Sequence, residues 1–201
     1  HPSRSMHDTY YVDENTVLRT HTSAHQNELL ANGYTDFLVT GDVYRKDEID
    51  SRHYNIFHQI EMVRLLPDNV DPEYELKKIL RGLVLYLFPE NEYRINTDYF
   101  PFTEPSFEVE VKFENRWLEI LGCGVIHKDI LDRLNIKQKG IAIGFGIERL
   151  AMILFDISDI RYFWTNDPRF FDQFKDENII KFKPYPKLNP VTKDISFWLS
   201  D

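Results

Sequence analysis

Cysteine is nearly absent: Cys123 is the single one in 201 residues, which argues against a disulfide-stapled secreted fold. Set between Gly122 and Gly124, it reads as a small buried filler. Long apolar runs are missing too. No stretch approaches the ~20 residues that a membrane-spanning helix needs, and no signal or transit segment is visible. Glycine occurs only eight times, and neither glycine-rich phosphate loop is complete. Arg149 stands where a dinucleotide fingerprint beginning Gly144-x-Gly146 has its third glycine, and no Gly-x-x-x-x-Gly-Lys-Ser/Thr run exists. Rossmann and P-loop nucleotide sites are therefore both excluded. Positive charge is in deficit, 24 Lys and Arg against 33 Asp and Glu for a net −9, which counts against a broad nucleic-acid surface. The deficit is uneven: from Lys175 to Asp201 five lysines face four acids, so that segment is +1 and the rest −10. The length suffices for one substantial core, or one core and an appendage. No internal repeat or low-complexity tract divides the chain.

What is present begins with a strand. Side chains two apart share a face, so Phe57, Gln59 and Glu61 point one way and Ile56, His58, Ile60 and Met62 the other. The second face is mostly apolar and suits a core. The first carries a ring, an amide and a carboxylate in a row, which fits either a stacking surface beside an ammonium site or the solvated face of an edge strand. Downstream, the apolar run Ile141 to Phe145 turns through Gly146 into a helix, Ile147 to Phe155. Arg149 falls in its first turn, where the helix dipole favours negative charge. A phosphate partner would account for that cation, as would a nearby carboxylate.

The remaining elements are mostly strands. Thr22 can cap a helix running to Gly33, and Asp71-Pro72 opens another over Pro72 to Phe88. Phe107 to Phe113 alternates, Glu114-Asn115-Arg116 turns the chain, and Trp117 to Ile126 returns, which predicts a hairpin. Alternation of this kind predicts antiparallel strands with one wet face. The expected fold class is α+β, with a central antiparallel sheet flanked by helices.

Three segments together resemble the signature motifs of class II aminoacyl-tRNA synthetases, and in particular phenylalanyl-tRNA synthetases of the single-chain organellar type. His1-Pro2-Ser3-Arg4 through Asp8-Thr9-Tyr10 resembles the end of the first motif, Tyr44 to Glu61 the second, and Gly144 to Arg149 the third. Arg19 to Ala24, Tyr99 to Ser106 and Trp117 to Gly124 match segments peculiar to the phenylalanine enzymes. The likeness runs from His1 to about Phe174. Ser5 stands where an aspartate is expected, and Pro67 to Tyr74 is shorter than in organellar members. The resemblance implies a catalytic domain over 1–175, its N-terminus truncated, and a linker over 176–184. It also implies, over 185–201, the start of a ferredoxin-like anticodon-binding domain, with only its first strand present.

The implied reaction is attack by the carboxylate of L-phenylalanine on the α-phosphate of ATP. That step needs alignment and charge stabilisation but no protein nucleophile. By resemblance, Arg45 holds the α-phosphate and the substrate carboxylate, Arg149 the γ-phosphate and His53 the phosphates, while Phe57 stacks on adenine and Gly146 adjoins the ATP. Asp47, Glu104 and Glu119 are candidates for Mg²⁺ or its water shell. Gln59 and Glu61, with His21 and Ser23 two apart on another strand, take the ammonium group and position the carboxylate. Phe100 and Phe102 offer rings edge to face; Gly122 and Gly144 adjoin the amino acid, and Ala142 sits at the far end of its ring. The expected partners are L-phenylalanine, ATP and tRNA(Phe), with no membrane, in a monomer of the mitochondrial matrix or another organelle. The alternatives are the α subunit of a bacterial-type heterotetramer, which would place the chain in the cytoplasm, and a non-catalytic relative.

Overall fold

The computed structural model describes residues 5–176, 178–186 and 191–198; the first four residues of the motif that begins at His1 lie outside it. Its elements in chain order are α1 (Gln26–Ala31), β1 (Asp36–Tyr44), β2 (Ile56–Leu65), α2 (Pro72–Leu87), β3 (Tyr93–Phe100), β4 (Thr103–Phe113), β5 (Arg116–Ile126), α3 (Lys128–Arg133), β6 (Gly140–Gly146), α4 (Ile147–Phe155) and α5 (Pro168–Phe171). The strands form one sheet ordered β1-β2-β6-β5-β4-β3, antiparallel throughout. The α+β expectation holds.

Local chemistry explains the main elements. The Asp71 carboxylate accepts from Tyr74 N at 2.7 Å and Pro72 takes the first helical position, so α2 starts where predicted. Its Leu76, Leu80 and Val84 recur every fourth residue and are buried against Val109, Val111, Ile120, Ile141 and Ile143. Glu114 and Asn115 both adopt positive φ, 48° and 60°, which makes the two-residue turn whose twist matches a β-hairpin. Arg116 therefore belongs to β5 rather than to the turn. The opposite sheet face packs Val63, Ile126 and Ala142 against Leu30 of α1 and Leu131 of α3.

Several expectations need correcting. The polar face of β2 is not wet: Gln59 is 6 % and Glu61 2 % exposed, while Ile60 and Met62 on the other face are only partly buried. Both faces of a central strand are covered here, so alternation reports chemistry rather than exposure. His21 and Ser23 lie on no strand. They open a 3-10 turn, Thr22–His25, that runs into α1, and its cap is the His21 imidazole, which accepts from Ser23 N. Thr22 is buried and does not cap; its N–H donates to Gln59 Oε1 at 3.2 Å.

Part of the 176–184 segment is held in place. Phe182 is buried among the rings of Tyr162, Phe170 and Tyr185, and its N–H donates to Phe155 O. Residues 191–198 form neither helix nor strand, so the strand expected there is not formed among the described residues; a strand needs a neighbour to satisfy its ladder groups. Among the described residues no helix is long and apolar enough to cross a membrane.

Candidate active site

Inserting β6 between β2 and β5 brings the distant motifs into register. Gln59 pairs with Gly146, Glu61 with Gly144, and Gly122 with Gly144 on the other side. These three strands floor a cleft of about 880 Å³, walled by residues 45–54 and by the β3–β4 tip. All the residues proposed from sequence line it except Glu104. Glu104 lies outside, its carboxylate 79 % exposed and 3.5 Å from His127 Nε2.

At one end Phe100 and Phe102 stack at 6.0 Å and 15°, and Ala142 is 4 % exposed. Gly122 leaves room that the Phe100 ring occupies, and Gly144 is less tightly crowded. A Cβ on Gly122 would stand 2.7 Å from the Phe100 ring, and one on Gly144 would stand 3.3 Å from the Gln59 amide and 3.4 Å from the His21 ring. Gly122→Ala is therefore expected to displace Phe100 and cost roughly 1–3 kcal/mol of stability by overpacking. Thermal melting checks this; an unchanged melting temperature would mean that the ring moves aside freely.

The middle of the cleft is polar and buried. Glu61 Oε1 accepts from the Ser23 hydroxyl at 2.8 Å, but its Oε2 has no hydrogen-bond partner, with His21 Nδ1 3.9 Å away. Burial pushes the Glu61 carboxyl up to about 7, against the downward pull of the Ser23 and Thr22 hydroxyls. A buried carboxylate oxygen without a partner is costly, and because Glu61 lines the cleft a cationic ligand group would satisfy it. His21 Nε2 stands 2.8 Å from the Gln59 amide, tying the two walls.

The other end gathers the cations. Arg45 anchors through Nε to Thr20 O at 3.1 Å, and its guanidinium lies 4.8 Å over the Phe57 ring. Arg149 is held at 3.0 Å by both the backbone oxygen and the carboxylate of Glu119. The carboxylate partner weighed from sequence thus exists, and Arg149 still lines the cleft. His53 and Asp47 sit in the 45–54 wall, which the first motif braces: Lys46 N donates to Asp8 O and Asn55 Nδ2 to the Tyr10 hydroxyl. Asp50 holds His53 at 3.0 Å. Partial burial would raise the Asp50 carboxyl, but the Arg52 N–H, the His53 imidazole and the His53 N–H bring it down to about 2. A Cβ on Gly146 would meet nothing within 4 Å, so open space lies above it.

Sequence reasoning missed Asp50, Tyr54, Asp98 and Ile160, which also line the cleft. Only the Asp50-x-x-His53 spacing hinted at one of them.

Residues 1–174 match the family model described as tRNA synthetases class II core domain (F). The chain is 54% identical to a chloroplastic/mitochondrial phenylalanine–tRNA ligase of Arabidopsis thaliana, covering 100% of this chain and 50% of that protein. It is 43% identical to the mitochondrial phenylalanine–tRNA ligase of Mus musculus, over 99% of this chain and 52% of that protein. It is 44% identical to a phenylalanine–tRNA ligase alpha subunit of Vibrio campbellii, over 87% of this chain and 55% of that protein. The chain thus spans about half the length of the curated relatives it matches. Among solved structures, a pyrrolysyl tRNA synthetase from Desulfitobacterium hafniense superposes with a TM-score of 0.58 at 19% identity, over 77% of this chain and 56% of that one; that likeness concerns the fold alone.

Proposed function

We propose, since the chain belongs to the class II core domain family of tRNA synthetases, that it activates L-phenylalanine with ATP and passes the phenylalanyl group to the 3′ end of tRNA(Phe). The observation that carries this reading is Glu61 Oε2, buried and unpartnered between an aromatic end and an arginine end. An amino acid laid across that point puts its ammonium on Glu61, its ring towards Phe100, Phe102 and Ala142, and its carboxylate towards Arg45. The substrate carboxylate attacks the α-phosphate and pyrophosphate leaves. The residues need only align the reactants and stabilise the developing charge, with Arg45 at the α-phosphate and Arg149 and His53 on the outer phosphates.

Among the described residues no three His, Cys, Asp or Glu side chains group as a metal cage, so a Mg²⁺ ion would take most of its ligands from the triphosphate. Glu119, at the phosphate end beside Arg149, fits as a protein ligand or an anchor for the ion's waters, and Asp47 lines the same end. Glu104 does not fit, being outside the cleft. When bound, the ion would screen triphosphate charge.

The organellar single-chain reading is favoured over the α-subunit reading by extent. The organellar relatives match 99–100% of the chain and the α subunits 87%. An organellar location, the mitochondrial matrix or a plastid, and a monomeric state follow from that reading, as does an anticodon-binding domain beginning near residue 185. A non-catalytic role is disfavoured because both Arg45 and Arg149 are kept in the cleft. Phenylalanine-dependent ATP–pyrophosphate exchange is the test, and its absence would sink the proposal.

Selectivity follows from the apolar end. Ala142 is the small residue in the β6 floor between Val63 and Gly124. Ala142→Gly vacates about one methyl group at roughly 1 kcal/mol of stability and is expected to admit para-substituted rings. Exchange with para-chlorophenylalanine relative to phenylalanine should rise. An unchanged ratio would place the ring elsewhere.

A further inference from the structure

Glu148, the second residue of α4, is 5 % exposed. Its carboxylate oxygens accept from the His58 backbone N–H at 2.9 and 3.1 Å, and Oε1 meets His58 Nδ1 at 2.5 Å. The His58 ring is fixed on its other sides as well: Nε2 lies 3.3 Å from Asp42 Oδ1 on β1, and the ring stacks on Trp164 at 5.8 Å and 4°. An acid in the first turn suits the helix dipole, and exposure to water would satisfy that need. A buried carboxylate accepting three hydrogen bonds from one strand residue does more, because it ties the start of α4 to β2.

What the tie fixes is given by its neighbours. His58 follows Phe57, and along a strand the two point to opposite faces. Arg149 follows Glu148, a third of a turn round the helix. Locking Glu148 to His58 therefore sets the spacing of Arg149 and Phe57, which line the cleft as Glu148 itself does. We propose that Glu148 and His58 are positioning residues that clamp the first turn of α4 to β2 and so hold Arg149 opposite Phe57 for binding ATP. This rests on reading that end of the cleft as the ATP site.

The test compares wild type, Glu148→Gln, His58→Asn and His58→Phe in the full chain. ATP affinity is read by calorimetry, exchange kinetics for ATP and phenylalanine separately, and folding by thermal melting. Glu148→Gln keeps the shape but leaves one accepting oxygen. ATP should bind about tenfold more weakly, with a parallel rise in KM for ATP, while KM for phenylalanine stays within about twofold. Asn at 58 can still donate to Glu148 through its side chain and should stay within about threefold of wild type for ATP; Phe at 58 keeps only the backbone N–H contact and should fall clearly weaker than Asn, towards Glu148→Gln.

Unchanged ATP binding in Glu148→Gln overturns the proposal. So does an equal rise in both KM values with a lowered melting temperature, which is general loosening. If Glu148→Gln does not fold, equal ATP affinities in His58→Asn and His58→Phe overturn it instead. Wild type that binds no ATP overturns it together with the ATP-site reading. Wild type that binds ATP, weakens in Glu148→Gln, yet shows no phenylalanine-dependent exchange supports the clamp and refutes the phenylalanine reading alone.

Discussion

Arg45→Ala is expected to lower phenylalanine-dependent exchange by about 10²–10³-fold, because losing one preorganised charge contact in a catalytic cleft removes ~3–4 kcal/mol of transition-state stabilisation. Arg45 is the stronger of the two arginine tests. Its guanidinium is already placed by Thr20 O and the Phe57 ring, so little reorganisation is needed when charge develops. Arg149 is preorganised differently, through Glu119, in a pair whose partner is 44 % exposed. Breaking such a pair costs about 0–1 kcal/mol of stability, so Arg149→Ala should melt near wild type and fail in activity. Melting curves and exchange rates on the same preparations separate folding from chemistry. Near-normal exchange in Arg45→Ala would remove it from the reaction and would sink the assignment of the whole 44–61 segment.

The strands that carry these residues were legible because period-two alternation fixes which side chains travel together. Gln59 and Glu61 had to share a face, and the register with β6 then set them beside Gly146 and Gly144. Alternation could not say whether that face was wet, since burial depends on what lies across the sheet. Glu104 was offered by resemblance rather than by alternation, and the local backbone carries it out of the cleft. Pairing between β4 and β5 slips between Thr103 and Ser106, and a bulge re-aims side chains outside the period. The edge strand β1 was not delineated, its Phe37, Val39 and Val43 being interrupted by Thr40, Gly41 and Asp42. A Cβ on Gly41 would stand 2.1 Å from the Arg19 guanidinium, the movable end of a side chain, and that contact between segments is one no local pattern reveals. The Glu148–His58 tie spans 90 residues and was equally invisible, with His58 expected to face the core.

Phenylalanine affinity is expected to rise with pH from about 6 to about 8, and the source is Glu61. In the ligand-free chain its carboxyl titrates at about 7 because burial disfavours the charge. An ammonium ligand needs the carboxylate, so below that point a proton must leave before the contact forms. Apparent affinity then falls by up to ~tenfold for each pH unit below the pKa. The stability of the empty chain should move the opposite way. Between the ordinary 4.5 and about 7 the folded carboxyl holds a proton that the unfolded one has lost. This group's contribution is therefore whole below 4.5 and is lost as pH rises through 7, by roughly 3 kcal/mol in all. Calorimetry in two buffers of different ionisation enthalpy should show close to one proton released on binding phenylalanine near pH 6 and almost none near pH 8. Glu61→Gln should abolish that release and weaken phenylalanine by roughly 2–3 kcal/mol, the value of a charge-assisted hydrogen bond. It should also make the empty chain more stable near pH 8, since no buried charge forms. Release that persists in Glu61→Gln would come from another group and would count against Glu61 as the source. No release at pH 6 in the wild type, or normal phenylalanine binding by Glu61→Gln, would mean that the ammonium sits elsewhere and that the cleft is occupied in another orientation.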